Sequence, residues 1–326
     1  MSVAATPVAR PRVALALGSG SAKGMAHIGV IAALEEAGFE ISAIAGSSIG
    51  ALVGGVYALG KLAVYRDWVC SLDKLDVLRL VDWTLTGAGL IKGERIIATV
   101  RDLVGESDIE NLPIGYTAVA TDLERQREVW ISRGPLFDAI RASIAIPTVF
   151  HPYEIDGRRL VDGGLLNPVP VTPLLRERYD YLIAVSLDGP RRGNSKPVAE
   201  PAPRDPYRQR FTSFMQHITG HHAPVEPEPK PAREPNWINL MGQTMDMMQG
   251  NLARLRLAAY RPDLLIELPG DCCAVYEFYR AEEMIALGHA EAAHLLAGWP
   301  NAHALPVGAT APVVAHGNSD RGGDHG

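Results

Sequence analysis

The sequence predicts an α/β fold with a mostly parallel central sheet, on three observations. Apolar runs stand unbroken where a surface strand would alternate, glycine-rich turns follow the first two of them, and segments with helical spacing follow the turns. Residues 13–17 (VALAL) read as a strand buried on both faces, and Gly18-Ser19-Gly20-Ser21-Ala22-Lys23-Gly24 as the loop after it. MAHIGVIAALEEAG then places Met25, Ile28, Val30, Ile31 and Leu34 on a helix that stops at Gly38. The unit repeats with a short strand around 41–45, a tight turn at 46–50 and a helix to about 59.

Further along, a helical region near 93–104 precedes two strand-like runs, YTAVATDL and REVWIS, and PLFDAIRASIAI reads as a short helix ended by Pro147. Asp156-Gly157 between short runs signals a hairpin. YDYLIAVSLDG is another buried strand, and a long helix (NWINLMGQTMDMMQGNLARLRLAAY), a strand (LLIELP) and a final helix over about 276–297 close the fold. One domain over 12–300 is expected, with tails at 1–11 and 306–326 left disordered.

Within that domain, residues 190–235 hold 10 of the 24 prolines, so an insert without regular core structure is expected there. Between its proline clusters, Tyr207, Phe211, Phe214, Met215 and Ile218 fall on one helical face beside Arg208 and Arg210. Such a face over 206–218 would suit peripheral contact with an anionic membrane surface, a lid over a site, or packing as a linker on its own domain.

Composition narrows the function classes. The net charge of −6 supplies no basic field for nucleic acid. Three cysteines, two of them adjacent and none in CxxC spacing, suggest a reducing compartment and neither a zinc site nor a redox pair. No charged-then-apolar leader opens the chain, so the expectation is a cytoplasmic protein, peripheral at most on the inner face of the membrane. The uncharged window 41–60 approaches spanning length, but its five glycines and its hydroxyl residues make it a poor lipid-facing helix.

Gly46-Ser47-Ser48-Ile49-Gly50 fits G-x-S-x-G, between an apolar strand and a helix. In that setting the central serine projects from a sharp turn at a helix N-terminus, where developing negative charge is favoured. A close helix contact through Gly46, Gly50 and Gly54 is the competing explanation. The first loop fails as a Walker loop, because Lys23 precedes Gly24 and Met25 follows, and as a dinucleotide loop, because its third glycine arrives one residue late. Its N–H groups suit an oxyanion hole instead. Asp162-Gly163-Gly164 ends the run RRLV, as a turn or as a carboxylate set at a strand end.

Taken in order on successive βα elements, the glycine-rich loop, GSSIG and DGG, with RASIAIPTVFHP before the aspartate, resemble the patatin-like phospholipase family. Among its members the sequence is most similar to bacterial proteins related to the catalytic domain of neuropathy target esterase. The resemblance covers roughly residues 12–190 densely and 237–295 loosely. It implies a three-layer α/β/α fold and a Ser-Asp dyad without a catalytic histidine. Residue by residue, Ser48 matches the nucleophile, Asp162 its partner, and Gly18 to Gly24 the oxyanion loop, in which Ser19 and Ser21 stand where the family often has glycine. Lys23 matches a basic position of that loop, near a substrate anion or merely solvated.

A lipid acyl-ester hydrolase of phospholipase A or lysophospholipase type follows, needing no cofactor and no metal. An acyl-chain or partner-binding module on the same fold, a thioesterase and an acyltransferase stay open. Two histidines remain for a rival triad: His27, expected as a packed or surface residue, and His151, just before the hairpin.

Overall fold

A computed structural model describes residues 10–80, 93–147, 149–192 and 237–299. Its centre is one eight-stranded sheet: β1 (Arg12–Leu17), β2 (Glu40–Ser47), β3 (Gly115–Asp122), β4 (Arg127–Ile131), β5 (Tyr153–Ile155), β6 (Arg158–Asp162), β7 (Tyr181–Gly189) and β8 (Leu264–Pro269). Strands β3, β2, β1, β7 and β8 lie side by side and parallel, while β4, β5 and β6 add antiparallel pairs at the β3 end.

The unbroken apolar runs are explained by two covered faces. Val13, Leu15 and Leu17 point into a core shared with α1 (Ala26–Glu36), α2 (Ile49–Ala58) and the last helix, whereas Ala14, Ala16, Ala43, Ala45 and Ala184 meet Leu174, Ala253 and Leu257 on the other face. Bulky residues on one face and alanines on the other set the helix-to-sheet spacings of a three-layer α/β/α sandwich. The remaining helices are α3 (Leu62–Ser71), α4 (Lys74–Leu80), α5 (Glu94–Val104), α6 (Leu136–Ser143), α7 (Trp237–Ala259) and α8 (Ala281–Gly298). Close approach of α1 to α8 depends on Gly29 and Gly288. A Cβ on Gly29 would stand 1.9 Å from the Ile285 carbonyl oxygen, and one on Gly288 2.1 Å from that of Ala26.

The window 41–60 is strand, turn and helix, and among the described residues no helix is long and apolar enough to cross a membrane. The hairpin stands where Asp156-Gly157 places it, with Ile155 paired to Arg158 and both turn residues at positive φ, 51° and 69°. Two boundaries move. A short 3₁₀ turn, Ser21–Met25, precedes α1, and another, Phe278–Arg280, delays α8 from 276 to Ala281, where Arg280 is held between Glu277 and Glu283. Helices α3 and α4 follow α2 directly, in a stretch for which no element is predicted. Segment 206–218, most of the proline-rich insert and the tail from 306 lie outside the described residues.

Candidate functional site

The site is built where β2 ends and β6 begins to share its lane. Ala118 and Val119 of β3 pair with Gly46 and Ser47 on one side and with β4 on the other; Ala120 to Asp122 keep β4 but pair instead with Asp162 to Leu160 of β6. Strand β6 therefore runs antiparallel into the position that β2 vacates when the chain turns at Ser48. Consecutive residues of β3 thus hold Ser47 and Asp162, which are 115 positions apart in sequence, given their numbers.

At the turn, Ser48 adopts φ 56°, ψ −125° and caps α2. A non-glycine residue in such a conformation carries about 1–3 kcal/mol of strain, so the surroundings must over-determine it. They do: the Ser48 N–H donates to Ser143 Oγ at 2.9 Å, Ser143 in turn donates to the Val119 carbonyl at 2.6 Å, and the Ser48 carbonyl accepts from Ala51 N–H at 2.9 Å. The flanking glycines answer a steric need, not a conformational one. A Cβ on Gly46 would lie 2.4 Å from the Gly50 carbonyl oxygen, and one on Gly50 2.2 Å from that of Leu17.

Ser48 Oγ donates to Asp162 Oδ2 at 2.5 Å, and the other carboxylate oxygen accepts from Gly164 N–H at 2.7 Å. The aspartate backbone is fixed as well, its N–H donating to Ala145 O and its carbonyl accepting from Thr121 Oγ1, both at 3.0 Å. Ser48 is 4% and Asp162 2% exposed. Burial pushes the Asp162 carboxyl up to about 6, although the bonds from Ser48 and Gly164 pull the other way. A carboxylate in that state, against a serine hydroxyl at a helix N-terminus, can take the hydroxyl proton as an acyl group is attacked.

Loop 18–24 lies beside this pair. Gly24 lets it close on α2, since a Cβ there would overlap the Ile49 side chain, and Gly164 lies against Ser19. Four of the loop's amides are already committed: Gly18 N–H to Val185 O, Ser19 to Pro168 O, Ala22 to Val275 O and Lys23 to Gly20 O. Among the described residues no acceptor meets the N–H of Gly20 or Ser21. Both residues have positive φ, 157° and 49°. The donor row expected from sequence thus narrows to the amides of Gly20 and Ser21, because those of Gly18, Ser19, Ala22 and Lys23 are bonded within the chain and Gly24 lies inside the 3₁₀ turn Ser21–Met25.

The patatin-like phospholipase pattern matches residues 15–175. An NTE family protein of Mycobacterium tuberculosis is 44% identical over 330 residues, covering 88% of this chain and 91% of that one. The chain belongs to the patatin-like phospholipase family. A lysophospholipase, NTE1, of Debaryomyces hansenii is 27% identical over 304 residues, covering 90% of this chain but only 18% of that much longer protein.

Within this patatin-like chain neither histidine joins the pair. His27 is fully buried on α1 with Nε2 2.8 Å from the Gly18 carbonyl, and burial pushes its imidazole down to about 4, so it stays neutral and donates to that oxygen. His151 is exposed. Lys23 is neither solvated nor free for a substrate anion: it is 5% exposed, and its Nζ donates to Asp188 Oδ1 at 2.9 Å, to Leu187 O at 3.0 Å and to Gly270 O at 3.4 Å. The ion pair ties the loop to the ends of β7 and β8. Sequence reading missed Ser143, Thr121 and Asp188, which support the site at long range. It also missed Gln249 of α7, whose Oε1 accepts from Ser19 Oγ at 3.3 Å.

Proposed function

We propose that the protein is a serine acyl-ester hydrolase of lipids, of phospholipase A or lysophospholipase type, in which Ser48 is the nucleophile and Asp162 its base. One observation carries the reading: the 2.5 Å bond from a buried, strained serine to a buried carboxylate, with no imidazole between them. As Ser48 Oγ forms its bond to the acyl carbon, its proton passes to Asp162. Charge on the carbonyl oxygen is met by the N–H groups of Gly20 and Ser21 and by the N-terminus of α2. Collapse breaks the ester C–O bond, and the leaving alcohol takes the proton from Asp162. Water then attacks the acyl-enzyme, gives a proton to Asp162, and the departing Ser48 oxygen recovers it, leaving a carboxylic acid.

Removing histidine from the mechanism shifts the demand onto the carboxylate. An ordinary aspartate near ~3.9 is a weak base at neutral pH; desolvation raises its proton affinity to about 6 and so improves it as an acceptor. The catalytic unit is assigned to 12–300, whose strands share the one sheet. The named activity of the Debaryomyces relative favours a single-chain phospholipid as the first substrate to try. Wild type is expected to hydrolyse a lysophospholipid and a short p-nitrophenyl ester and to be labelled at Ser48 by a fluorophosphonate. Ser48→Ala and Asp162→Asn should lose both activities by about 10³-fold or more while remaining folded. Full activity in either folded variant rules the dyad out, and folded wild type that neither labels nor hydrolyses points to a binding module.

A further inference from the structure

His27 is a buried ionisable group for which the proposed chemistry has no use. It lies fully buried in the first turn of α1, in a stretch whose Met25, Ala26, Ile28, Val30 and Ile31 are buried as well. An imidazole there has lost its hydration, and among the described residues no donor meets its Nδ1. A leucine would incur neither cost, so what the ring contributes must come through its other nitrogen. Nε2 lies 2.8 Å from the Gly18 carbonyl oxygen and donates to it.

That carbonyl belongs to the peptide plane that opens the glycine loop. A peptide group is rigid, so its C=O and its N–H turn together. The plane joining Gly18 to Ser19 is held on both sides: His27 donates to its C=O, and its N–H, that of Ser19, donates to Pro168 O at 2.8 Å. One Cα further on comes the N–H of Gly20, and after it that of Ser21, the two loop amides left for an oxyanion. Glycines at 18 and 20 make rotation along this stretch sterically cheap, so its aim depends on hydrogen bonds. Gly50 of α2 makes room for the same carbonyl oxygen, since a Cβ there would stand 2.8 Å from it.

We propose that His27 is a positioning residue for ester hydrolysis: its Nε2–H holds the Gly18 carbonyl so that the amides of Gly20 and Ser21 face the anion formed at the ester carbonyl. It touches no reacting atom and exchanges no proton in the reaction. The catalytic part of the proposal rests on the ester-hydrolase reading, whereas the hold on the loop is a property of the chain alone. Three substitutions in the full chain separate the donor from the ring. His27→Gln carries an amide NH₂ at the reach of Nε2, His27→Asn carries one only at the reach of Nδ1, and His27→Leu carries none. On a monomeric p-nitrophenyl ester, kcat is expected within about fivefold of wild type in His27→Gln and at least about tenfold lower in His27→Asn and His27→Leu, with KM within about twofold throughout. A trifluoromethyl ketone, whose adduct with Ser48 is an anion, should lose affinity by the same factor, and the matching alcohol, which forms no adduct, should lose none.

Two further readouts need no catalysis. Amide hydrogen exchange over residues 18–24 should quicken in His27→Asn and His27→Leu and stay near wild type in His27→Gln, and nitrogen NMR of the wild-type ring should find its proton on Nε2. Full kcat in folded His27→Asn or His27→Leu overturns the proposal, as does an equal loss in His27→Gln and His27→Asn, which would assign the effect to the shape of the ring. A proton on Nδ1 in wild type overturns it without any variant. Loop exchange that follows the donor, in a chain that cleaves no ester, supports the hold on the loop and counts against the hydrolase reading alone.

Discussion

Ser143 Oγ accepts the backbone N–H of Ser48 and donates to the carbonyl of Val119, so one hydroxyl joins the turn at Ser48 to β3, whose next residue, Ala120, pairs with Asp162 of β6. Both groups it serves are buried, and Ser143 itself is fully buried. Ser143→Ala leaves an N–H and a carbonyl without partners, which costs roughly 1–3 kcal/mol for each group. It also frees Ser48 to relax from its positive φ. The expected result is a Tm several degrees lower and fluorophosphonate labelling of Ser48 slowed at least about tenfold, since small misplacements of reacting groups are costly. Labelling at the wild-type rate would mean that the turn is held by the glycines alone.

Two buried titrations oppose one another across the same acidic range. Asp162 has a folded pKa of about 6 against 3.8 for the free side chain, so the folded state binds more protons between those values and gains stability as pH falls through them. His27 has a folded value of about 4 against 6.5, so the unfolded state binds more protons in that interval and stability is lost as pH falls through it. Each shift corresponds to roughly 3 kcal/mol at 1.36 kcal/mol per pKa unit. Wild type is therefore expected to change little in stability between pH 6.5 and 4 from this pair. His27→Gln, which keeps a donor for Gly18 O, should grow more stable toward acid; Asp162→Asn should grow less stable toward acid and exceed wild type at pH 8. Urea unfolding across this range checks both signs, and parallel curves for the three proteins would refute the opposition.

Activity should follow the same carboxyl. In the proposed mechanism Asp162 must be ionised to accept the Ser48 proton, so kcat/KM is expected to fall below about pH 6, where burial has placed its pKa. A limb near pH 4 would mean that Asp162 is solvated when substrate binds. One near 6.5 that His27→Gln abolishes would bring the histidine into the reaction after all.

The legible part of the site is the part that sterics writes into short motifs. Gly24, Gly46, Gly50, Gly163 and Gly164 each sit where a Cβ would strike a neighbour, and all five fall inside the three motifs. Ser143 carries no such mark, since a lone serine in RASIAIP has no spacing that distinguishes it from any helical serine. Its role exists only once β3 is placed beside β2. The amides of Gly18 and Ser19 show the same limit: their acceptors, Val185 and Pro168, are more than 140 residues away and belong to neighbouring elements that sequence spacing does not align. Helices α3 and α4 escaped notice for a different reason, because much of α3 is solvated and its buried residues, Tyr65 and Val69, make too short a stripe to read.

Lys23 and Asp188 give the last prediction, which turns on unequal burial of the two partners. The lysine side chain is 6% and the aspartate 18% exposed, and the lysine also holds the carbonyls of Leu187 and Gly270. Asp188→Asn strands a cation that water barely reaches, and breaking a buried pair in this way costs about 3–5 kcal/mol. Lys23→Met leaves the more exposed partner, which can hydrate, and fills the lysine's channel with a thioether of similar length, so a smaller loss is expected. Lys23→Met with Asp188→Leu should recover most of the stability, because neither charge remains to be desolvated. Activity separates anchoring from stability: in the double variant Gly20 and Ser21 lose the tie that aims them, and ester hydrolysis should stay at least about tenfold below wild type although the fold is restored. Equal stability losses for the two single variants, or full activity in the double variant, would show that the ion pair does not hold the loop.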